Sequence, residues 1–153
     1  MLNNIVCGIT KNAICSYFYQ LNQSNQQLFY YFFKPNCKSM TLREICETVK
    51  GEVVCGEELL GTDVEFAFSS DLMSDVLTVQ CDKLILITGL SNLQSIRTAE
   101  MSDIPCVLIV RNKPITTEMV ELAKECDIAI LRSKNTLFFV AGELYKAGLK
   151  PVY

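Results

Sequence analysis

The sequence predicts an α/β fold: a mostly parallel sheet of about five strands, helices on both faces, in a single domain. Three observations carry that prediction. The stretch FAFSSDLMSDVLTVQCDKLILITGLSN at 66–92 reads as strand, polar loop, short helix, buried strand and second polar loop. The strand–loop–helix order then recurs to the end of the chain, which implies right-handed crossovers and parallel pairing. The run at 83–87 is continuously apolar after Asp82, as expected of a strand covered on both faces. A chain of 153 residues is long enough for one ordinary core.

Composition breaks near Met40. All 17 acidic residues lie after it, while residues 1–40 hold Lys11, Lys34 and Lys38 and no acid. The eleven Lys and Arg from Thr41 onward leave that part six charges negative, against −3 for the whole chain. The first part is rich in Asn and Gln, carries the run Phe29-Tyr30-Tyr31-Phe32-Phe33, and shows neither a helical nor an alternating period. Its apolar pieces fall short of the ~20 residues that span a bilayer, and Asn3 and Asn4 stand where a secretion signal would be cationic. Residues 1–39 are therefore expected to be an irregular extension, with Met40 a candidate true start, and residues 40–153 the working domain.

From Met40 the elements follow in order. Thr41 and Glu44 form a capping box, and Leu42, Ile45, Cys46 and Val49 make one apolar helical stripe that Gly51 ends. Glu52–Cys55 is a short strand expected at a sheet edge. Val64, Phe66 and Phe68 alternate with Glu65 and Ala67 in strand period. Ser69, Ser70 and Asp71 offer caps to a helix whose buried face is Leu72, Met73, Val76 and Leu77. Thr88-Gly89-Leu90-Ser91-Asn92 turns into a helix ending near Glu100. A strand at 106–110 is followed by Arg111-Asn112-Lys113-Pro114, and Thr116 or Thr117 opens the next helix, striped by Met119, Leu122, Ala123 and Cys126. After the strand at 128–131 and Arg132-Ser133-Lys134, Asn135 is expected to cap a last helix. There Leu137, Phe138, Ala141, Leu144 and Tyr145 face inward and Gly148 stops it.

The chemistry is sparse. The eight cysteines contain no C-x-x-C and the chain has no His, so zinc or other metal binding is not expected. Cys106 in the run CVLIV and Cys46 beside Ile45 read as small buried hydrophobes. Free thiols without an export signal point to the cytoplasm. No phosphate loop of the G-x-x-x-x-G-K-[ST] kind and no G-x-G-x-x-G is present. No Ser or Cys can have a His base, so the chain is not expected to be an enzyme or to need a cofactor. A basic stripe with interleaved aromatics is absent, which argues against nucleic acid. Asp71 and Asp75, four apart, are expected to be a cap and a surface charge rather than an acid pair.

In parallel sheets ligands bind outside the strand carboxyl ends. The loops there supply Ser69, Ser70 and Asp71, then Thr88, Gly89, Ser91 and Asn92, then Arg111, Asn112 and Lys113, then Arg132, Lys134, Asn135 and Thr136. Helix N-termini and four cations from neighbouring loops would suit a small anionic ligand, a phosphate or a nucleotide. The alternative is that the polar residues only cap helices and the cations are solvated.

The blocks FAFSSDLMSDVLTV, DKLILITGLSN, IPCVLIVRNKPITTEMVELAKECDIAIL and NTLFFVAGEL resemble the DRTGG domain, over about residues 40–148. The likeness is to small stand-alone members of anaerobic bacteria, similar to the amino-terminal domain of HPr kinase. The most specific pieces are Ser70 to Val76 and the strand–Thr-Gly turn at 87–89. The resemblance implies a dimeric regulatory or association module, of the kind inserted in phosphate acetyltransferases and in pyrophosphatases carrying CBS domains. It also implies a partner enzyme such as a hydrogenase component. Gly89-Leu90-Ser91 stands where Gly-Asp-Arg would be, Arg111-Asn112 where a Gly pair would be, and Asn135-Thr136 where Asp-Thr would be.

Overall fold

The computed structural model describes residues 39–153, so the expectation about residues 1–39 falls almost wholly outside them. The local signals act as predicted at the first helix. The Thr41 hydroxyl accepts the Glu44 N–H while the Glu44 carboxylate accepts the Thr41 N–H at 2.8 Å. That box starts helix α1 (Leu42–Thr48) directly from the two-residue strand β1 (Met40–Thr41). The helix stops earlier than expected: Val49 caps it and Lys50 takes a left-handed φ of 50° before Gly51.

Strand β2 (Glu52–Cys55) and a 3-10 turn (Glu57–Leu59) lead to β3 (Asp63–Val64), which pairs antiparallel with β1. Then come β4 (Phe66–Ser69), α2 (Met73–Val76), β5 (Leu84–Thr88), α3 (Leu93–Met101), β6 (Cys106–Ile109), α4 (Thr117–Glu125), β7 (Ala129–Arg132), α5 (Leu137–Ala147) and β8 (Lys150–Pro151). The main sheet has the order β2-β7-β6-β5-β4-β8, six strands rather than five. The two residues of β8 add themselves parallel to β4, a pairing too short to leave a pattern in the sequence. As expected, β2 lies at an edge; it runs antiparallel to β7. All the other pairs in this sheet are parallel.

Alternation splits the core into two layers. Ile85, Ile87, Leu108 and Leu131 face α1 and α5, while Leu84, Leu86, Val107, Ile109 and Ile130 face α2, α3 and α4. Both faces are therefore covered, and every residue of β5 and β6 is buried. Two expectations about buried faces are corrected. In α2 only Met73 and Val76 are buried, and the flanking Leu72 and Leu77 are exposed, because a helix of 4 residues presents a single turn to the sheet. In α5 the anchors are Val140 and Leu144, while Phe138 and Tyr145 point to solvent. Thr136, not Asn135, caps α5 by accepting the Phe139 N–H, and Gly148 ends it at a φ of 117°. Among the described residues no helix is long and apolar enough to cross a membrane.

Candidate functional site

The parallel register carries the strand ends to one rim. Ser69 stands opposite Ile87, Thr88 opposite Ile109, and Ile109 opposite Arg132. The turns that follow β4, β5, β6 and β7 therefore leave along the same edge of the sheet, as the sequence reading required. Antiparallel β2 adds its first residue to this rim, with Glu52 opposite Arg132.

In such a sheet a crevice opens where neighbouring strands send their loops to opposite faces. Here that point lies between β6, whose chain continues to α4 on one face, and β7, whose chain continues to α5 on the other. The chain closes this crevice with its own backbone. The Arg111 N–H donates to the Asn135 carbonyl at 2.8 Å, the Asn112 N–H to Ser133 at 3.0 Å, and the Ser133 N–H to Ile109 at 2.9 Å. Arg111 and Asn112 hold left-handed φ values of 66° and 49° to make this turn. The Asn135 side-chain amide and the Ser133 hydroxyl both donate to the Val49 carbonyl, at 3.0 and 3.2 Å. Asn112 and Asn135 thus serve the closure.

The polar centre of the rim lies one strand over. Thr88 is fully buried, and its hydroxyl donates to Asp71 Oδ1 at 3.0 Å. The Gly89 N–H donates to the same oxygen at 2.6 Å, and Arg111 Nη2 donates to Asp71 Oδ2 at 2.7 Å. Three loops are joined through one carboxylate. This corrects the reading of Asp71 as a helix cap. Leu72 occupies the N-cap of α2 without any side-chain cap, and the Ser70 hydroxyl takes the Leu72 N–H at 3.0 Å. Partial burial pushes the Asp71 pKa upward, but the Gly89 N–H, the Thr88 hydroxyl and the Arg111 guanidinium outweigh it. They hold it below the ordinary 3.8.

Gly89 is what lets the guanidinium lie there. A Cβ on residue 89 would stand 1.5 Å from Arg111 Nη2 and 2.3 Å from its Cζ. The glycine is needed for close approach and not for an unusual φ.

The remaining predicted residues divide between capping and pairing. Asn92 caps α3 by accepting the Ser95 N–H at 3.0 Å, and the Ser91 hydroxyl donates to the Pro114 carbonyl. Arg132 is no loose cation: it pairs with Glu52, a partner 80 residues away that only the β2–β7 register reveals. Lys113 and Lys134 are exposed and form no ion pair among the described residues. Ser69 lines an apolar cavity of about 390 Å³ between β4, α5 and the chain end, with Phe68, Ala141, Tyr145 and Tyr153. Among the described residues no group of three or more His, Cys, Asp or Glu is placed to hold a metal ion.

An α/β sheet covered on both faces, with a rim of polar turns, is the class of structure that these features define. It is similar to the crystal structure of the CBS and DRTGG domains of the regulatory region of a Clostridium perfringens pyrophosphatase, complexed with its activator diadenosine tetraphosphate. The TM-score is 0.59 at 13% identity, covering 92% of this chain and 58% of that one. The chain thus spans less than two thirds of that structure. The DRTGG-like fold expected from residues 40–148 is borne out at the level of fold. No family model matches the chain. No curated protein matches its sequence.

Proposed function

We propose that the unit from Met40 onward is a non-catalytic, ligand-sensing regulatory module. Its ligand is small and anionic, a phosphate or nucleotide, held at the carboxyl-end rim by Thr88, Gly89 and Arg111 with Lys113 and Lys134 nearby. The observation that carries this reading is the convergence of a buried hydroxyl, a backbone N–H and a guanidinium on one point of the rim. Donors so gathered favour a negative charge. The structural neighbour, a regulatory region complexed with a nucleotide activator, supports the same reading at the level of fold. Ser70, Ser91, Asn92, Asn112, Asn135 and Thr136 shape the turns, and Arg132 is held by Glu52. The five described cysteines are free thiols, which accords with a cytoplasmic setting.

A second reading has its own observation. Phe138, Phe139 and Tyr145 of α5 are exposed on the helix that carries the 390 Å³ cavity. Exposed aromatics on one helix suit association, through a homodimer or a partner enzyme such as a hydrogenase component. Sedimentation of the full chain, intact and as Phe138→Ser with Tyr145→Ser, tests that reading.

A thermal-shift panel of inorganic phosphate, pyrophosphate and nucleotides tests the first. A ligand at a hundred times its Kd adds about 2.7 kcal/mol of stability. The rim reading expects a clear rise in Tm that Arg111→Ala removes. A panel that leaves Tm unmoved at low salt, in the natural sequence and in Asp71→Ala alike, refutes it.

A further inference from the structure

We propose that Asp71 is the resident occupant of the rim's donor set, so that a phosphorylated ligand binds by displacing the Asp71 carboxylate. The inference rests on the rim reading above and deepens it. Asp71 then sets how much negative charge a ligand must bring.

The Thr88 and Gly89 donors and the carboxylate they hold differ in freedom to move. Two of the three donors are fixed. Thr88 ends a fully buried strand, and Gly89 is buried beside it. Arg111 is anchored only at its backbone, by the bond from its N–H to the Asn135 carbonyl, 2.8 Å, on a turn that the Asn112–Ser133 bond also holds; its side chain is 45% exposed. Removing the carboxylate would leave the Thr88 hydroxyl, the Gly89 N–H and the Arg111 backbone in place. The acceptor is movable. Asp71 is 44% exposed at its side chain, and it precedes a helix of only 4 residues flanked by exposed leucines. A turn about its χ1 releases the carboxylate into water without unfolding anything.

The bonds themselves mimic a ligand. One carboxylate oxygen takes the Gly89 N–H and the Thr88 hydroxyl, and the other takes the guanidinium. Two adjacent oxygens of a phosphoryl group can accept the same three donors. An intramolecular carboxylate also has a high effective concentration, so a free monoanion competes poorly with it. A ligand carrying two or more charges in one group gains further from Lys113 on the Arg111 turn. Selectivity thus comes from the repulsive element already in the site.

The test uses the full chain with three proteins: the natural sequence, Asp71→Asn and Asp71→Ala. Circular dichroism first establishes that each is folded. Inorganic pyrophosphate is titrated calorimetrically, and sodium formate is added in thermal shift at matched ionic strength. Displacement expects pyrophosphate to bind Asp71→Ala tighter than the natural sequence, by up to about fivefold, the most a half-exposed ion pair is worth. It expects formate to raise the Tm of Asp71→Ala and to leave that of the natural sequence unmoved. Asp71→Asn, which keeps the shape without the charge, should fall between. Pyrophosphate binding that is unchanged or weaker in both variants overturns displacement and leaves the rim reading standing. A variant that binds pyrophosphate where the natural sequence does not supports it. Absence of binding in all three removes the rim reading, and displacement with it.

Discussion

A methyl group added at Gly89 tests how the rim is built. In Gly89→Ala the new Cβ would fall 1.5 Å from Arg111 Nη2, 2.3 Å from Cζ and 2.5 Å from Nε. These atoms are the far end of a flexible side chain that is 45% exposed, so the guanidinium can swing into water. The residue's own φ lies outside the left-handed region, so the backbone is not strained. Two terms oppose each other. Losing a half-exposed ion pair costs about 0.2–1 kcal/mol. Replacing Gly by Ala at an allowed conformation returns about 0.4–1 kcal/mol by restricting the unfolded chain. The net change in stability should therefore stay within about 1 kcal/mol, a Tm shift under about 5 °C for a domain of this size. Binding of a phosphate ligand should nonetheless fall, because the guanidinium has left. Urea unfolding followed by circular dichroism, on Gly89→Ala, Arg111→Ala and the double variant, decides the matter. Once Arg111 is absent the methyl has nothing to displace, so the double variant should be no less stable than Arg111→Ala. A loss of 3 kcal/mol in Gly89→Ala, or an additive double variant, would refute the reasoning, since the clash would then lie with something that cannot move.

The other predictions concern the scaffold and its titrations. Gly56→Ala should be much worse than Gly89→Ala: φ there is 83° and a Cβ would meet the Ala129 Cα at 2.7 Å, a backbone atom of the central core. A left-handed residue costs about 1–2 kcal/mol and overpacking another 1–3, which urea unfolding would read as roughly 2–5 kcal/mol. Leu108→Ala, in a fully buried strand, should cost about 2–5 kcal/mol by the same assay. Because the Asp71 pKa is lowered on folding, its contribution is fully present above the ordinary 3.8 and lost as pH falls through the depressed value. The stability difference between the natural sequence and Asp71→Asn should therefore vanish at strongly acid pH. Burial pushes the Cys106 thiol far above its ordinary 9.0. Stability present below pH 9.0 is then lost as pH rises beyond it, and the advantage over Cys106→Ala should narrow there. Peptide-resolved alkylation should reach the half-exposed Cys81 and Cys126 first and Cys106 only on unfolding.

Local rules and distant partners divide the molecule cleanly. Thr41 with Glu44 and Gly148 were readable because a cap and its target lie within a few residues of each other. The strand at Phe66 was readable from its alternation, and those from Leu84 to Leu131 because a strand buried on both faces must be continuously apolar. The shared rim followed, since parallel strands joined by helices can only send their ends one way. The errors fall where the deciding partner is remote. Asp71 has the chemistry of a cap and sits where a cap belongs. Its bonds go instead to residues 17, 18 and 40 positions away. Arg132 looked like a free rim cation until the antiparallel run of β2 set Glu52 beside it. Phe138 and Tyr145 looked buried because aromatic residues at helical spacing usually are; only the placement of α5 on the sheet shows which of its faces is covered.

The sequence by itself determined the layers, the helix starts and the common edge, because each of these follows from the polarity and spacing of residues close along the chain. Tertiary structure alone decided which polar groups meet on that edge, because a hydrogen bond across three loops depends on register and depth, which no local spacing encodes.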